Sequence, residues 1–236
     1  MFEFAPLLLH AVELSGVAGR APRVCHVGTA GGDQQWFNAV FAEAGQAAGI
    51  TVTHLNLFPM PSTADPAALL LEQDVVWVGG GSVANLLAVW RLHGLDRVFR
   101  LVWQAGVVLA GVSAGALCWH VGGTTDSFGP DLRAVTNGLG FLPHSAGVHY
   151  DSEPQRRPLY QQLIGSGVLP AGYATDDGVG IVYHGTEFAE AVSEVRGKGA
   201  YRVVGEGGPG REDGPDQAGV QAREERIEPR VLPGAS

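Results

Sequence analysis

Three short apolar runs in the first half of the chain each lead directly into a cluster of glycines. They are Arg23-Val24-Cys25-His26-Val27, Asp74-Val75-Val76-Trp77-Val78 and Val107-Val108-Leu109-Ala110-Gly111-Val112. Runs of this length, rich in β-branched residues and without polar alternation, are how strands buried on both faces read. Helical patterns lie between them: a helix from about Asp33 (its cap) through Phe37, Val40, Phe41 and Ala44, one opened by Asp65-Pro66, one through Leu86, Leu87, Val89 and Trp90, and one over Leu95–Gln104. Residues 7–18 form a further helix, and Ile50–Phe58 alternates as a strand. Strands alternating with helices at this spacing specify a parallel sheet covered on both faces. Such a sheet presents its ligand site beyond the carboxyl ends of the strands. The turns Gly28–Gly32, Gly79–Ser82 and Gly111–Gly115 are therefore expected on one rim.

The third turn carries the chemistry. Gly111-Val112-Ser113-Ala114-Gly115 sits between a buried strand and the helix-forming residues Ala116-Leu117-Cys118-Trp119. A serine on such a turn points its hydroxyl out of the sheet, and the flanking glycines let strand and helix pass closely. The turn strains the serine backbone, while the helix start presents free N–H groups. The plain alternative is a serine in a glycine-rich connection.

A nucleophilic serine needs a base, and eight histidines are available. His149 stands out because it follows an apolar run and precedes Tyr150-Asp151; His144 is the weaker competitor. The base needs an orienting carboxylate, and Asp176-Asp177, followed by Gly178 and the apolar run Val179–Tyr183, offers one. The resulting order is Ser113, His149, Asp177, unlike the Ser, Asp, His order of α/β-hydrolases. For the oxyanion, the Ala114 N–H and the bare backbone of Gly80 and Gly81 are the candidate donors. No Gly-x-x-x-x-Gly-Lys-Ser/Thr pattern supports a nucleotide cradle.

The second half is less regular. Residues 124–141 are glycine-interrupted, Glu153–Ile164 reads as a helix, and Glu187–Val195 and Ala200–Val204 as antiparallel strands. From Gly205 onward Gly, Pro, Glu and Arg dominate, too little apolar surface to offset ordering entropy. The expectation is one domain over residues 1–204 and a mobile tail over 205–236. Across 236 residues, 15 Lys and Arg stand against 24 Asp and Glu, a net charge of −9. That balance argues against nucleic acid as a partner. Cys25 and Cys118 sit in apolar surroundings, as reduced core residues do. No apolar run approaches the ~20 residues of a membrane helix, and Ala5–Val12, with Glu3 ahead of it and Pro6 and His10 within, is a poor leader. We expect a cytoplasmic protein with no metal and no cofactor, acting as monomer or homodimer, without a nucleic-acid or membrane partner.

Taken together, Val78-Gly79-Gly80-Gly81-Ser82 with Asn85-Leu86-Leu87, Gly111-Val112-Ser113-Ala114-Gly115-Ala116, Thr125-Asp126-Ser127-Phe128-Gly129, His149-Tyr150-Asp151 and Asp176-Asp177-Gly178 resemble the peptidase E (aspartyl dipeptidase) family, to which cyanophycinases are related. The resemblance covers about residues 22–204. It implies a three-layer α/β/α fold with a mostly parallel sheet, glutamine-amidotransferase-like (flavodoxin-like), and antiparallel strands at the C-terminal end. It also implies a Ser-His-acid triad on Ser113, His149 and Asp177, with Asp176 and Asp126 as alternative acids, and a short peptide as substrate, by family default Asp-Xaa. A carboxypeptidase or cyanophycinase-like activity is the alternative. The family's cation for the substrate carboxylate would fall to Arg156 or Arg157. This chain departs from the family at Ser82, where Asn is usual, and lacks the glycine-ended strand expected upstream of Phe2 or Glu3, so the start is assigned late or one strand is missing. A reading of another class is a non-catalytic module that uses the same rim for a small anion or nucleotide.

Overall fold

The computed structural model describes residues 3–206 and 222–236. Contacts divide the chain into two compact units, Met1–Cys118 and Trp119–Ser236, where the sequence reading placed one domain over residues 1–204. Apolar runs report which segments are buried but not which of them share a core, so this division was not visible in the pattern.

The first unit runs α1 (Pro6–Leu14), β1 (Arg23–Val27), a 3₁₀ turn (Thr29–Gly31), α2 (Gln35–Ala47), β2 (Thr51–His54), α3 (Pro66–Leu71), β3 (Val75–Val78), α4 (Val83–Leu92), α5 (Leu95–Gln104), β4 (Val108–Gly111) and the single turn α6 (Ala114–Leu117). Its sheet is wholly parallel, in the order β2-β1-β3-β4. The pleat sends alternate residues to opposite faces. Val24 and Val75 meet Leu8, Phe41 and Ala44 of α1 and α2, with Val52, Trp77, Val108 and Ala110 beside them. Cys25, Val27, Val76 and Val78 point the other way and are fully buried. On α4 and α5, Leu86, Leu87, Trp90, Leu95, Phe99 and Val102 are buried, with the Trp90 and Phe99 rings 4.4 Å apart. Each strand shows no inside/outside alternation because helices cover both faces, as the apolar runs indicated.

Asp65 caps α3 by accepting from Ala68 N–H at 3.0 Å. Asp33, expected to cap α2, does not. Its backbone has φ +51°, the cap position falls to Gln34, and the Asp33 carboxylate accepts instead from the Leu57 and Phe58 N–H groups. The backbone of the 55–58 segment is thus held by a side chain, and β2 ends at His54 and not at Phe58.

The second unit runs β5 (His120–Thr125), β6 (Arg133–Val135), β7 (Leu142–Gly147), α7 (Arg156–Gly165), β8 (Gly172–Thr175), β9 (Val179–His184), β10 (Glu187–Ser193), β11 (Ala200–Gly205), β12 (Ala222–Ile227) and β13 (Arg230–Val231). A six-stranded mixed sheet has the order β12-β11-β8-β7-β5-β6, and a three-stranded one the order β13-β10-β9. The β7–β8 and β5–β7 pairs are parallel; β8–β11, β11–β12 and β9–β10 are antiparallel, as expected near the C-terminal end. Helix α7 covers one face, where Tyr150, Tyr160, Ile164, Leu169, Ala174 and Val203 form a core. The fold is α/β, with a parallel sheet flanked by helices in the first unit and sheets that include antiparallel strands in the second.

The expected tail over 205–236 needs correction. Residues 222–227 pair with β11 along its whole length, Val231 pairs with Ser193, and Leu232 is buried. Composition misled because the charged residues of β12 use their backbone to saturate the β11 edge, a gain that apolar content does not register. Residues 207–221 of that expectation lie outside the described residues. Among the described residues no helix is long and apolar enough to cross a membrane.

Asp74, at the entry to β3, accepts from both Arg20 Nη1 (2.8 Å) and Nη2 (2.6 Å) and from Arg23 N–H (2.8 Å). The Arg20 guanidinium holds its carboxyl below the usual value. A depressed carboxyl pKa stabilises the fold above the unfolded value, about 3.9, and that stability is lost as pH falls through the folded value. Asp74→Asn is therefore expected to lower the urea midpoint at pH 7, and the gap to wild type should close as pH drops below about 4. Parallel pH curves for the two proteins would contradict this.

Candidate active site

The carboxyl ends of β1, β3 and β4 bring their three glycine turns together within the first unit. Gly79 N–H donates to Val27 O (3.0 Å), Ser82 N–H to Ala30 O (2.9 Å) and Val112 N–H to Val78 O (3.1 Å), so each turn is pinned to its neighbour. A Cβ on Gly31 would stand 3.6 Å from Gly80 O, and one on Gly80 3.4 Å from Ser113 Cβ. The single rim expected from the sequence is present.

Ser113 has φ +54° and ψ −116°, outside the regions open to ordinary L-residues. Such strain persists only where the surroundings over-determine it, and here they do. A Cβ on Gly111 would lie 2.4 Å from Gly115 O and 2.8 Å from Val78 O; one on Gly115 would lie 2.2 Å from Val78 O. Backbone therefore occupies the space a side chain would need on either side of the serine. Helix α6 starts at Ala114, whose N–H belongs to the first turn and has no intrahelical acceptor. Gly81, at φ +136°, passes so close to Ala30 O that a Cβ would come within 2.3 Å. Ser82 caps α4 by accepting from Asn85 N–H at 3.2 Å, so its hydroxyl has a structural task.

In the second unit, His149 lies just beyond β7 with φ +55°. Its Nδ1 is 2.7 Å from Asp177 Oδ1. A carboxylate accepts from Nδ1–H, which leaves Nε2 as the ring's acceptor. Asp177 sits in the turn between β8 and β9, and its N–H donates to Asp151 Oδ1 at 2.9 Å. Asp151 in turn pairs with Lys198. Burial pushes the Asp151 carboxyl up, but the bonds from Lys198 and Asp177 N–H outweigh it and leave it below the ordinary value. Tyr150 N–H donates to Thr175 O at 3.1 Å, tying the His149 loop to the end of β8.

Of the alternative acids, Asp176 is buried and accepts from Gly199 N–H (2.8 Å) and Tyr201 OH (3.4 Å). Asp126 stands 3.9 Å from Arg156 Nη2. His144 lies in an aromatic group, its ring 5.4 Å from Tyr173 and stacked 6.2 Å from Tyr183. The two arginines offered as carboxylate receptors are engaged. Buried Arg156 donates to both Glu153 oxygens and to Thr124 O (2.9 Å), and Arg157 pairs with Glu224. The residues that sequence reasoning missed are Lys198 and Glu224; both lie far along the chain from His149, Lys198 between two expected strands and Glu224 in the stretch read as a tail. Asp151 was visible in the His-Tyr-Asp triplet, but its hold on the Asp177 backbone was not. Among the described residues no group of three His, Cys, Asp or Glu is arranged to hold a metal ion.

Residues 8–191 match the model of peptidase family S51, and the chain belongs to that family. A relative from Bacillus subtilis (strain 168), known as the uncharacterized peptidase YgaJ, is 45% identical over 183 residues, 78% of each chain. Two solved structures share the fold: a proposed peptidase E protein from Listeria monocytogenes EGD-e (TM-score 0.57, 19% identity, 78% of this chain and 91% of that one) and a peptidase from an acI-B1 Actinobacterium (TM-score 0.63, 17% identity, 82% of each chain). The chain is thus a peptidase, and the serine class of its family agrees with the strained turn at Ser113.

Gly115→Ala places a methyl group against the Val78 carbonyl. Overpacking of this kind costs roughly 1–3 kcal/mol or more, so the variant should unfold at a clearly lower urea concentration than wild type. An unchanged midpoint would mean the crossing has room to open.

Proposed function

We propose that the chain hydrolyses short peptides in the cytoplasm through an acyl-enzyme on Ser113, with Asp-Xaa dipeptides as its substrates. The observation that carries the reading is the 2.7 Å bond from His149 Nδ1 to Asp177, which fixes the ring with Nε2 as proton acceptor. His149 takes the Ser113 proton as the hydroxyl attacks the scissile carbonyl. It then returns that proton to the leaving amine, and water, deprotonated by the same ring, releases the acyl group. Asp177 holds the tautomer and balances the imidazolium that forms. The Ala114 N–H and the Gly80 and Gly81 backbone serve the oxyanion, a role suited to donors fixed before the reaction starts. The family resemblance, the strained turn at Ser113 and the His149–Asp177 bond support this reading, and Asp176, which accepts from Gly199 N–H, is set aside as the acid.

Ser113→Ala should retain the fold and lose turnover by a factor on the order of 10⁶ in kcat, the scale of a removed triad nucleophile. A fluorophosphonate should label Ser113 in the wild type. Retained hydrolysis in the variant would sink the assignment, and saturable anion binding without any labelling would favour the non-catalytic reading. Asp177→Asn should cost about 10⁴ in kcat by favouring the wrong tautomer, while Asp176→Asn should act mainly on stability.

Specificity is the finer part of the proposal. An aspartyl substrate asks for a cation, and Arg156 and Arg157 each already carry a carboxylate partner. A panel of Asp-Xaa, Glu-Xaa and Ala-Xaa dipeptides, with C-terminal-residue substrates and branched aspartyl-arginine polymer alongside, separates the dipeptidase from the carboxypeptidase and cyanophycinase-like alternatives. Equal rates on the three dipeptides would remove the aspartyl reading and leave the hydrolase.

A further inference from the structure

Strand β12 lies beyond residues 8–191, the stretch that matches the family model, yet it reaches Tyr150, the residue next to the candidate base. Its Glu224 is largely buried, with a side-chain exposure of 14%. Both carboxylate oxygens are used. Oε2 accepts from Tyr150 OH (2.6 Å) and Gln161 Nε2 (2.8 Å), and Oε1 pairs with Arg157. The Arg157 guanidinium also lies 5.3 Å from the centre of the Tyr150 ring and 4.8 Å from that of Tyr201. A buried carboxylate is tolerated only when paired and hydrogen-bonded in this way.

Tyr150 is the residue after His149. Its N–H is held by Thr175 O and its hydroxyl by Glu224, so the side chain is fixed at both ends, and it is almost fully buried. His149 itself sits at φ +55°, a conformation that an L-residue keeps only when its surroundings hold it. We propose that Glu224 is a positioning residue for the peptidase reaction: by anchoring the Tyr150 hydroxyl it holds the His149 backbone in its left-handed conformation and the imidazole on Asp177. The inference rests on His149 being the base. Burial and the adjacent carboxylate raise the Tyr150 hydroxyl far above its ordinary titration range, so it remains a donor throughout.

The test compares Tyr150→Phe, Glu224→Ala, Glu224→Gln and the double variant Tyr150→Phe/Glu224→Ala in the full chain, with His149→Ala as reference. Displacing a catalytic group by a fraction of an ångström to 1 Å costs roughly ten- to a hundredfold. Tyr150→Phe and Glu224→Ala should each lower kcat by about that factor with KM within about twofold. The double variant should be no slower than the worse single one, because both break one contact. Glu224→Gln keeps an acceptor for the Tyr150 hydroxyl and should stay close to wild type. Wild-type kcat in Tyr150→Phe, additive losses in the double variant, or effects on KM alone would overturn the proposal. So would a slow Glu224→Gln beside a normal Tyr150→Phe, since the Arg157 pair would then be what matters. If Glu224→Ala fails to fold, Tyr150→Phe with Glu224→Gln decides alone. Full activity in His149→Ala would instead overturn the assignment of the base; an inactive His149→Ala with normal Tyr150→Phe and Glu224→Ala leaves that assignment standing and removes only this inference.

Discussion

The first unit depends on a contact between backbones. At the end of β4 the chain turns through Ser113 and starts α6 with Gly111 and Gly115 lying so near Val78 O and each other that no side chain fits at either position. That closeness gives Ser113 its unusual φ and ψ, and it fixes where β3 must end relative to β4. The neighbouring turns pack against it: Gly80 lies beside Ser113 Cβ, and Gly81 passes so close to Ala30 that no side chain fits there. The parallel sheet supplies the rigid platform, and the helices on both of its faces supply the burial that offsets the strain.

In the second unit, placement comes from charge and hydrogen bonding as much as from packing. His149 meets Asp177, the Asp177 backbone meets Asp151, and Asp151 meets Lys198. A parallel set joins Tyr150, Arg157, Gln161 and Glu224. Each carboxylate in these sets has a defined partner, so removing one group leaves another without compensation. Networks of this kind specify one arrangement where packing alone would permit several.

Much of the first unit could be read from residues, and the reasons are local. Val75–Val78 and Val107–Val112 announce buried strands by composition, Asp65-Pro66 announces a helix start, and the glycines around Ser113 announce a tight crossing. Asp33 was misread because a polar residue ahead of a helix looks like a cap, whether or not a distant loop claims its carboxylate. Of the candidate site, the His149–Asp177 contact joins two residues that the pattern had singled out, one following an apolar run and the other preceding one. Glu224 had no local signal at all. Its meaning depends on β12 pairing with β11 in a register that sets Glu224 on the Tyr150 side, and a polar strand at a sheet edge looks like solvated surface until that pairing is known. The arginines at 156 and 157 show the converse: two positive charges near a candidate site looked available, and Glu153 and Glu224 already neutralise them.

The pairing of β12 with β11 bears on the order in which the protein matures. During synthesis the serine turn, the histidine loop and the Asp177 turn all leave the ribosome before Ala222–Ile227 exists. Until then the β11 edge is open and the Tyr150 hydroxyl has no Glu224 to accept from it. A nascent chain would therefore carry its His149 loop without the Glu224 contact until β12 has been made and has paired with β11.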